Sequence, residues 1–192
     1  MSAPKEILLG SGHLYSMEYT NVLPEVEEIC TEANRFSYIQ GGATLEYKQT
    51  KYTAKDDLGY AQKTIMTDEG ATLKTGLMTF NGESLSTLLD TARVSEDAVD
   101  HRTTLIGGIG NAKDSRRVWC FHHPDPVDSD IYVTIVGSNE AGFSLAFTKE
   151  KESVIDAELT CLPSDDEGTL IRFTEKFKGV ELTEPEEPEN AG

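Results

Sequence analysis

The densest group of side chains able to do chemistry is His122-His123-Pro124-Asp125 with Asp128 and Asp130, two imidazoles and three carboxylates within nine residues. Imidazole nitrogens with carboxylate oxygens suit a transition metal, and the Asp128-x-Asp130 pair suits a calcium ion. Adjacent histidines at a strand end point to opposite faces, and the twelve-residue calcium-loop pattern is absent. A polar loop is therefore the expected reading, with His122, Asp125, Asp128 and Asp130 as the candidate metal ligands. Two prolines, Pro124 and Pro126, end the preceding strand because neither can donate to a ladder.

Other motifs point away from catalysis. Gly107-Gly108-Ile109-Gly110 lacks the spacing of a dinucleotide loop and leads into no helix, and no G-K-[ST] exists to cradle phosphate. Gly10-Ser11-Gly12 is a turn and not a nucleophile elbow. Paired acids such as Glu27-Glu28 and Asp165-Asp166 are ordinary in a chain with 34 acidic against 17 basic residues. No enzyme and no cofactor are expected. Cys30, Cys120 and Cys161 show neither metal nor redox spacing and are odd in number, so three small buried apolar residues are expected.

The elements around these residues are strands. From Ile131 to Glu175 four consecutive runs alternate with a period of two: Ile131, Val133 and Ile135; Phe143, Leu145 and Phe147; Ile155, Ala157, Leu159 and Cys161; Ile171 and Phe173. The intervening positions are mostly polar, which predicts a meander of half-buried antiparallel strands with one wet face. Turn-rich segments at 137–142, 149–152 and 163–168 separate the runs.

Upstream, Ile7–Leu9 and His13–Tyr19 read as short strands, Pro24–Ile29 as a possible helix start, and Arg35–Gln40 as strand again. Gly41-Gly42 opens a long strand over Thr44–Thr53. Polar Lys51–Gly59 predicts a projecting loop, Tyr60–Met66 a return strand, and Asp68-Glu69-Gly70 a further turn into Thr72–Phe80. Leu85, Leu88, Leu89 and Ala92 recur at i, i+3, i+4 and i+7, predicting one amphipathic helix capped by Asn81 or Ser84, with Glu83 at its start and Arg93 at its end. Thr103 onward is extended, and Arg116–His122 is a strand holding Trp119, the only tryptophan.

A chain of 192 residues with 38% hydrophobic content can bury a core without staples, so one domain over 1–179 is expected, followed by an acidic Pro/Glu-rich tail over 180–192. That tail, with Glu181, Glu184, Glu186, Glu187 and Glu189, is expected to be flexible in isolation. No apolar run reaches the roughly 18 residues of a membrane span, and Met1–Gly12 lacks the regions of a secretion signal, so no membrane partner is expected. The net charge of -17 repels polyanions from most of the surface.

Several stretches together resemble the major tail proteins, or tail tube proteins, of long-tailed bacteriophages. They are Ile131-Tyr132-Val133-Thr134-Ile135-Val136-Gly137, then Gly142-Phe143-Ser144-Leu145-Ala146-Phe147, the acidic strand VIDAEL and the closing Asp-Glu-Gly-Thr-Leu-Ile. Tyr38–Lys48, the segment KTGLMTFNGESL and the Gly107-Gly108 strand add to the likeness, which covers most of Ile7–Lys176 in the same order. The resemblance implies a mainly β fold, a sandwich or barrel of antiparallel strands with one flanking α-helix. It further implies assembly into rings, usually hexamers, stacked into a tail tube in the virion. The partners it implies are further copies of the chain, a tape measure protein in the lumen, terminator and baseplate-end proteins, and DNA passing without adhesion. Tail tube proteins carry a long loop that reaches the adjacent ring; the matching residues are Lys48–Asp57, with Lys48, Lys51, Lys55, Asp56 and Asp57 as its charged members. The Gly-Gly-Ala-Thr-Leu-Glu-Tyr strand favours the non-contractile type. The competing reading is a monomeric acidic β-sandwich that binds calcium or glycans through His122, Asp125, Asp128 and Asp130.

Overall fold

A computed structural model describes residues 12–58, 60–79, 81–95, 101–113, 116–125, 129–145 and 153–178. The expected strand at Ile7–Leu9, the 149–152 connection and the 180–192 tail lie outside them. Strand β8 (Ser129–Asn139) is the hub. On one side it pairs with β7 (Arg117–His123) over its middle; on the other, its first half pairs with β10 (Arg172–Phe177) and its last four residues with β9 (Ile155–Leu162). The expected meander is therefore replaced by a fork, in which β9 and β10 share one neighbour and do not pair with each other.

The remaining strands roll the sheet up. β1 (His13–Glu18) pairs with β7 and with β2 (Arg35–Ser37), while β3 (Ile39–Lys55) pairs with β4 (Gln62–Leu77), which pairs with β9. The order β2-β1-β7-β8-β9-β4-β3 places β2 and β3 at opposite ends, yet only Tyr38 separates them in the chain. The two ends of the sheet must therefore meet, which makes it a barrel whose seam lies at Tyr38. Hydrogen bonds close that seam: Met78 N–H to the Tyr38 carbonyl (2.9 Å), Tyr38 N–H to Thr79 Oγ1 (3.0 Å) and Ser37 Oγ to the Thr79 carbonyl (2.9 Å). Just beyond it Gly41 and Gly42, with φ of 78° and 74°, carry the bulge where the register shifts between Gln40 and Ala43. Side chains rarely adopt such angles, so this pair of glycines is what lets β3 bulge while it stays paired with β4.

The barrel interior holds Leu14, Leu73, Leu77, Trp119, Ile131, Val133, Ile135, Ile155, Ala157 and Leu159. Trp119 is buried edge-on against Phe36, with ring centroids 4.9 Å apart, and its indole N–H donates to the Gly137 carbonyl at 3.1 Å. The alternation of Ile131, Val133 and Ile135, and of Ile155 through Cys161, is thus inward-facing as the pattern predicts. The wet opposite face is real for β9, where Asp156 is exposed, but not for β8. There Tyr132, Thr134 and Val136 are also buried, because α1 (Val26–Ile29) lays Val26 and Ile29 over Tyr15, Val118, Cys120 and Tyr132. A short helix thus converts the outer face of β7 and β8 into a second core.

Other expectations need correction. Phe143 and Leu145 pack against the core from no strand, and 146–152 fall outside the described residues. Gly137–Asn139 continue β8 instead of turning. Phe173, expected inside, is 54% exposed, and no described strand pairs with the outer edge of β10. Helix α2 (Gly82–Leu88) ends one residue before Leu89; its cap is Asn81, whose side chain accepts from the Ser84 N–H at 2.8 Å. Ala92 is buried but lies beyond the helix, and Arg93 opens β5 (Arg93–Ser95), which forms a separate ribbon with β6 (Thr103–Leu105).

Candidate functional site

The predicted loop at Lys51–Gly59 and the turn at Asp68–Gly70 do not exist as such. β3 runs unbroken to Lys55 and β4 runs from Gln62 straight through Asp68–Gly70, so the two form one long hairpin. Its register carries a bulge between Thr50 and Lys51 and then pairs Lys51 with Met66, Tyr52 with Ile65 and Thr53 with Thr64. At the tip the Asp56 N–H donates to the Ala61 carbonyl at 3.0 Å, and the Ala61 N–H donates to Asp56 Oδ1 at 2.8 Å. Polar residues suggested a loop because both faces are wet, and a strand with two wet faces loses the alternation that identifies strands.

Every described residue from Tyr47 to Gly70 is exposed. At a strand rise of about 3.3 Å per residue the arm stands roughly 30 Å off the barrel. Apolar side chains stud it: Tyr47, Tyr52, Ile65 and Met66 along the strands, and Leu58 (78% exposed) and Tyr60 (89% exposed) at the tip. Its charge departs from that of the whole chain: over 47–70 four lysines balance four acids, with Asp68 and Glu69 at the base of the arm. Between Lys48 and Thr67 stand Lys48, Lys51, Lys55 and Lys63 against Asp56 and Asp57, a net +2 that leaves -19 on the remainder. Of the candidate inter-ring residues, Lys48, Lys51 and Lys55 lie on β3 and Asp56 and Asp57 in the tip turn, so the long loop is a β-ribbon. Lys48 Nζ is 3.5 Å from Glu46 Oε2, an exposed pair worth little.

A second unpartnered feature lies on the barrel. The outer edge of β10 has no neighbouring strand among the described residues, and Phe173 and Phe177 are exposed beside it. Open edges with apolar neighbours are templates for pairing with another chain.

The histidine and aspartate group is organised around lysine. Asp130 Oδ1 accepts from Lys178 Nζ at 2.8 Å and from the Asp125 N–H at 3.0 Å, and Lys178 also donates to the Asp125 carbonyl. His122 Nε2 lies 3.7 Å from Asp130 Oδ2, and its ring stacks on Tyr132 with centroids 4.4 Å apart and planes 4° from parallel. Burial pushes the His122 imidazole below its ordinary value, with Asp130 opposing. Burial also works on Asp130, but Lys178 and the Asp125 amide outweigh it and hold that carboxyl below the usual range. His123 is buried at the end of β7, and Asp128 lies outside the described residues. Among the described residues no group of three or more His, Cys, Asp or Glu is arranged to hold a metal ion.

The cysteines depart from expectation. Cys161 is buried alone, but Cys30, directly after α1, places its sulfur 3.5 Å from that of Cys120 on β7. Cys30 is half-buried, not fully buried. The Cys30 S–H and then the Thr134 hydroxyl, each 3.5 Å away, donate to Cys120 and hold its thiol below the ordinary value despite its burial. Ninety residues of sequence hide this contact, and no local spacing could have revealed it. No described helix is long and apolar enough to cross a membrane. No protein-family model matches this chain, and no curated protein matches it.

Proposed function

We propose that this chain is the subunit of a tube, a major tail protein of the kind that forms the tails of long, non-contractile-tailed phages, closing into hexameric rings that stack into a conduit for DNA. The observation that carries this reading is the arm of residues 47–70. A two-stranded ribbon exposed on both faces is marginal in water, and one bearing Tyr52, Leu58, Tyr60, Ile65 and Met66 has apolar surface to cover. Its outer span, residues 48–67, carries a net +2 that complements the acidic remainder of another copy, so the arm of one ring lies on the body of the next. Within a ring, the free edge of β10 with Phe173 and Phe177 docks on the neighbouring subunit, which removes an aggregation-prone edge.

The charge suits the duty. Six copies at -17 carry about -100 charges per ring, and an acidic wall repels phosphates so that DNA slides without adhering. The tape measure protein would occupy the lumen during assembly, with terminator and baseplate-end proteins at the two ends. The role is assembly and passage, with no catalytic step.

Electron microscopy with image averaging across rising protein concentration, beside particles from the native source, tests the reading. Stacked rings with a central channel are expected. A variant in which Asn-Gly replaces residues 52–65, joining the paired Lys51 and Met66 by a two-residue turn, should stay folded and form no tubes. A monomer at every concentration with no matching density in particles overturns the proposal.

A further inference from the structure

We infer that Cys30 and Cys120 form a covalent modification site, a dithiol that exchanges with a small organic disulfide to bridge helix α1 to strand β7. Their sulfurs are already in contact at 3.5 Å, though the residues are far apart in sequence. Reaching the length of a disulfide bond requires an approach of about 1.5 Å. Cys30 can move that far, because it follows the four-residue helix α1 in an irregular segment and is only half-buried. Cys120 sits in the middle of β7, fixed by ladders on both sides.

The two sulfurs have different tasks. Cys30 is the one that a dissolved disulfide can reach. The hydrogen bond to Cys120 and burial hold the Cys30 thiol above its ordinary value, so the first step quickens with rising pH: the Cys30 thiolate attacks one sulfur of the reagent, forming a mixed disulfide and releasing the first small thiol. Cys120, fully buried, then attacks the Cys30 sulfur, which forms the internal bond, breaks the mixed one and releases the second small thiol. Two protein thiols are oxidised, one small disulfide is reduced to two thiols, and the two protons leave with them. The Thr134 hydroxyl, which still donates to the Cys120 sulfur once Cys30 is capped, favours Cys120 as the resolving group. Cys161, on β9 and facing the other core, takes no part.

The bridge closes a loop of most of the first two-thirds of the chain, and long loops constrain the unfolded ensemble most. Its geometric effect is to fasten α1 over Tyr15, Val118 and Tyr132, the second core that makes β8 a doubly buried strand. The inference stands on the isolated chain and does not require the tube.

The test is to treat the reduced full chain with oxidised glutathione and to follow intact mass, free thiols, proteolytic peptides and melting temperature. The intact mass should fall by two hydrogens, the three thiols should become one, and a peptide pair joining Cys30 to Cys120 should appear. The melting temperature should rise and return on reduction. Cys161→Ser should leave all of this unchanged. Cys30→Ser, at a half-buried position that tolerates it, should abolish the bridge while the protein stays folded. A lasting glutathione adduct without the internal link, three unreacted thiols, a link through Cys161 or an intermolecular dimer would each overturn the inference.

Discussion

The arm and one flank of the barrel are built from the same two strands, β3 and β4, and obey opposite rules. In its first stretch β4 presents nothing buried; from Ala71 to Leu77 it alternates into the core, with Ala71, Leu73, Thr75 and Leu77 buried. One strand thus passes from a surface that water holds to one that the barrel holds. β8, by contrast, is buried on both faces for almost its whole length. Burial concentrates in β7 and β8, whereas the arm buries nothing, and under the proposed function its exposed apolar side chains are what another copy covers. Each experiment below either breaks this division or sharpens it.

The largest effect is expected at Trp119. Truncation to alanine removes the ring packed on Phe36 and the hydrogen bond to Gly137, and should cost about 3–5 kcal/mol in denaturant unfolding. Tyr60→Ala at the arm tip should change unfolding by less than about 0.5 kcal/mol. A comparable loss at Tyr60 would show that the arm belongs to the folding unit and end the comparison.

Two glycines in strands sharpen it. A Cβ at Gly137 would lie 2.2 Å from the Thr160 carbonyl oxygen, part of the β9 backbone, whereas at Gly70 nothing lies within 4 Å and φ is not positive. Gly137→Ala should destabilise by about 1–3 kcal/mol, since the crossing strand must shift. Gly70→Ala should be neutral or slightly stabilising by melting temperature, because it only restricts the unfolded chain.

How much of this was legible in the sequence follows the same division. Periodicity found the inward faces of β8 and β9 because one face of each meets a single apolar layer. It found both strands of the arm, over Thr44–Thr53 and Tyr60–Met66, but failed at their ends, where Lys51–Lys55 and Asp68–Gly70 on two-sided wet strands look like loop and turn, and at Phe173, whose exposure depends on a missing neighbour. It also missed the second core, because α1 is one turn long and Cys30, Cys120 and Tyr132 meet only through tertiary structure. For Leu85 to Ala92 the burial pattern was right and the helix too long, since Leu89 reaches the core from extended backbone and Ala92 from the turn after it. The histidine and aspartate group was recognised as a cluster, but the lysine that organises it, Lys178, arrives from the far end of the chain.

Charge reversal on the arm is expected to separate assembly from folding. Lys51→Glu, Lys55→Glu and Lys63→Glu together turn the arm acidic at exposed positions. Unfolding should shift by no more than about 0.5 kcal/mol, while tube formation read by sedimentation and microscopy should be lost through repulsion from the acidic body. Unimpaired tubes would show that the arm docks through its apolar side chains alone.

The smallest effect is a pH slope that belongs to the barrel. His122 has a folded-state pKa below the ordinary 6.5, so between those two values the unfolded chain binds more protons than the folded one. Stability therefore rises with pH through that window and falls on acidification below about 6.5. The groups setting the balance are Asp130, which favours the imidazolium, and His13 and His123, which oppose it together with burial. Asp130 has its own, lower window: its pKa is depressed from 3.8, so its contribution is present above that value and is lost as pH falls through the folded pKa. His122→Phe keeps a ring stacked on Tyr132 and removes the titration. Melting temperature measured from pH 7 to pH 5 should decline less in the variant than in the parent, while the loss near pH 3 remains in both. An unchanged decline between pH 7 and pH 5 would assign that slope to groups other than His122.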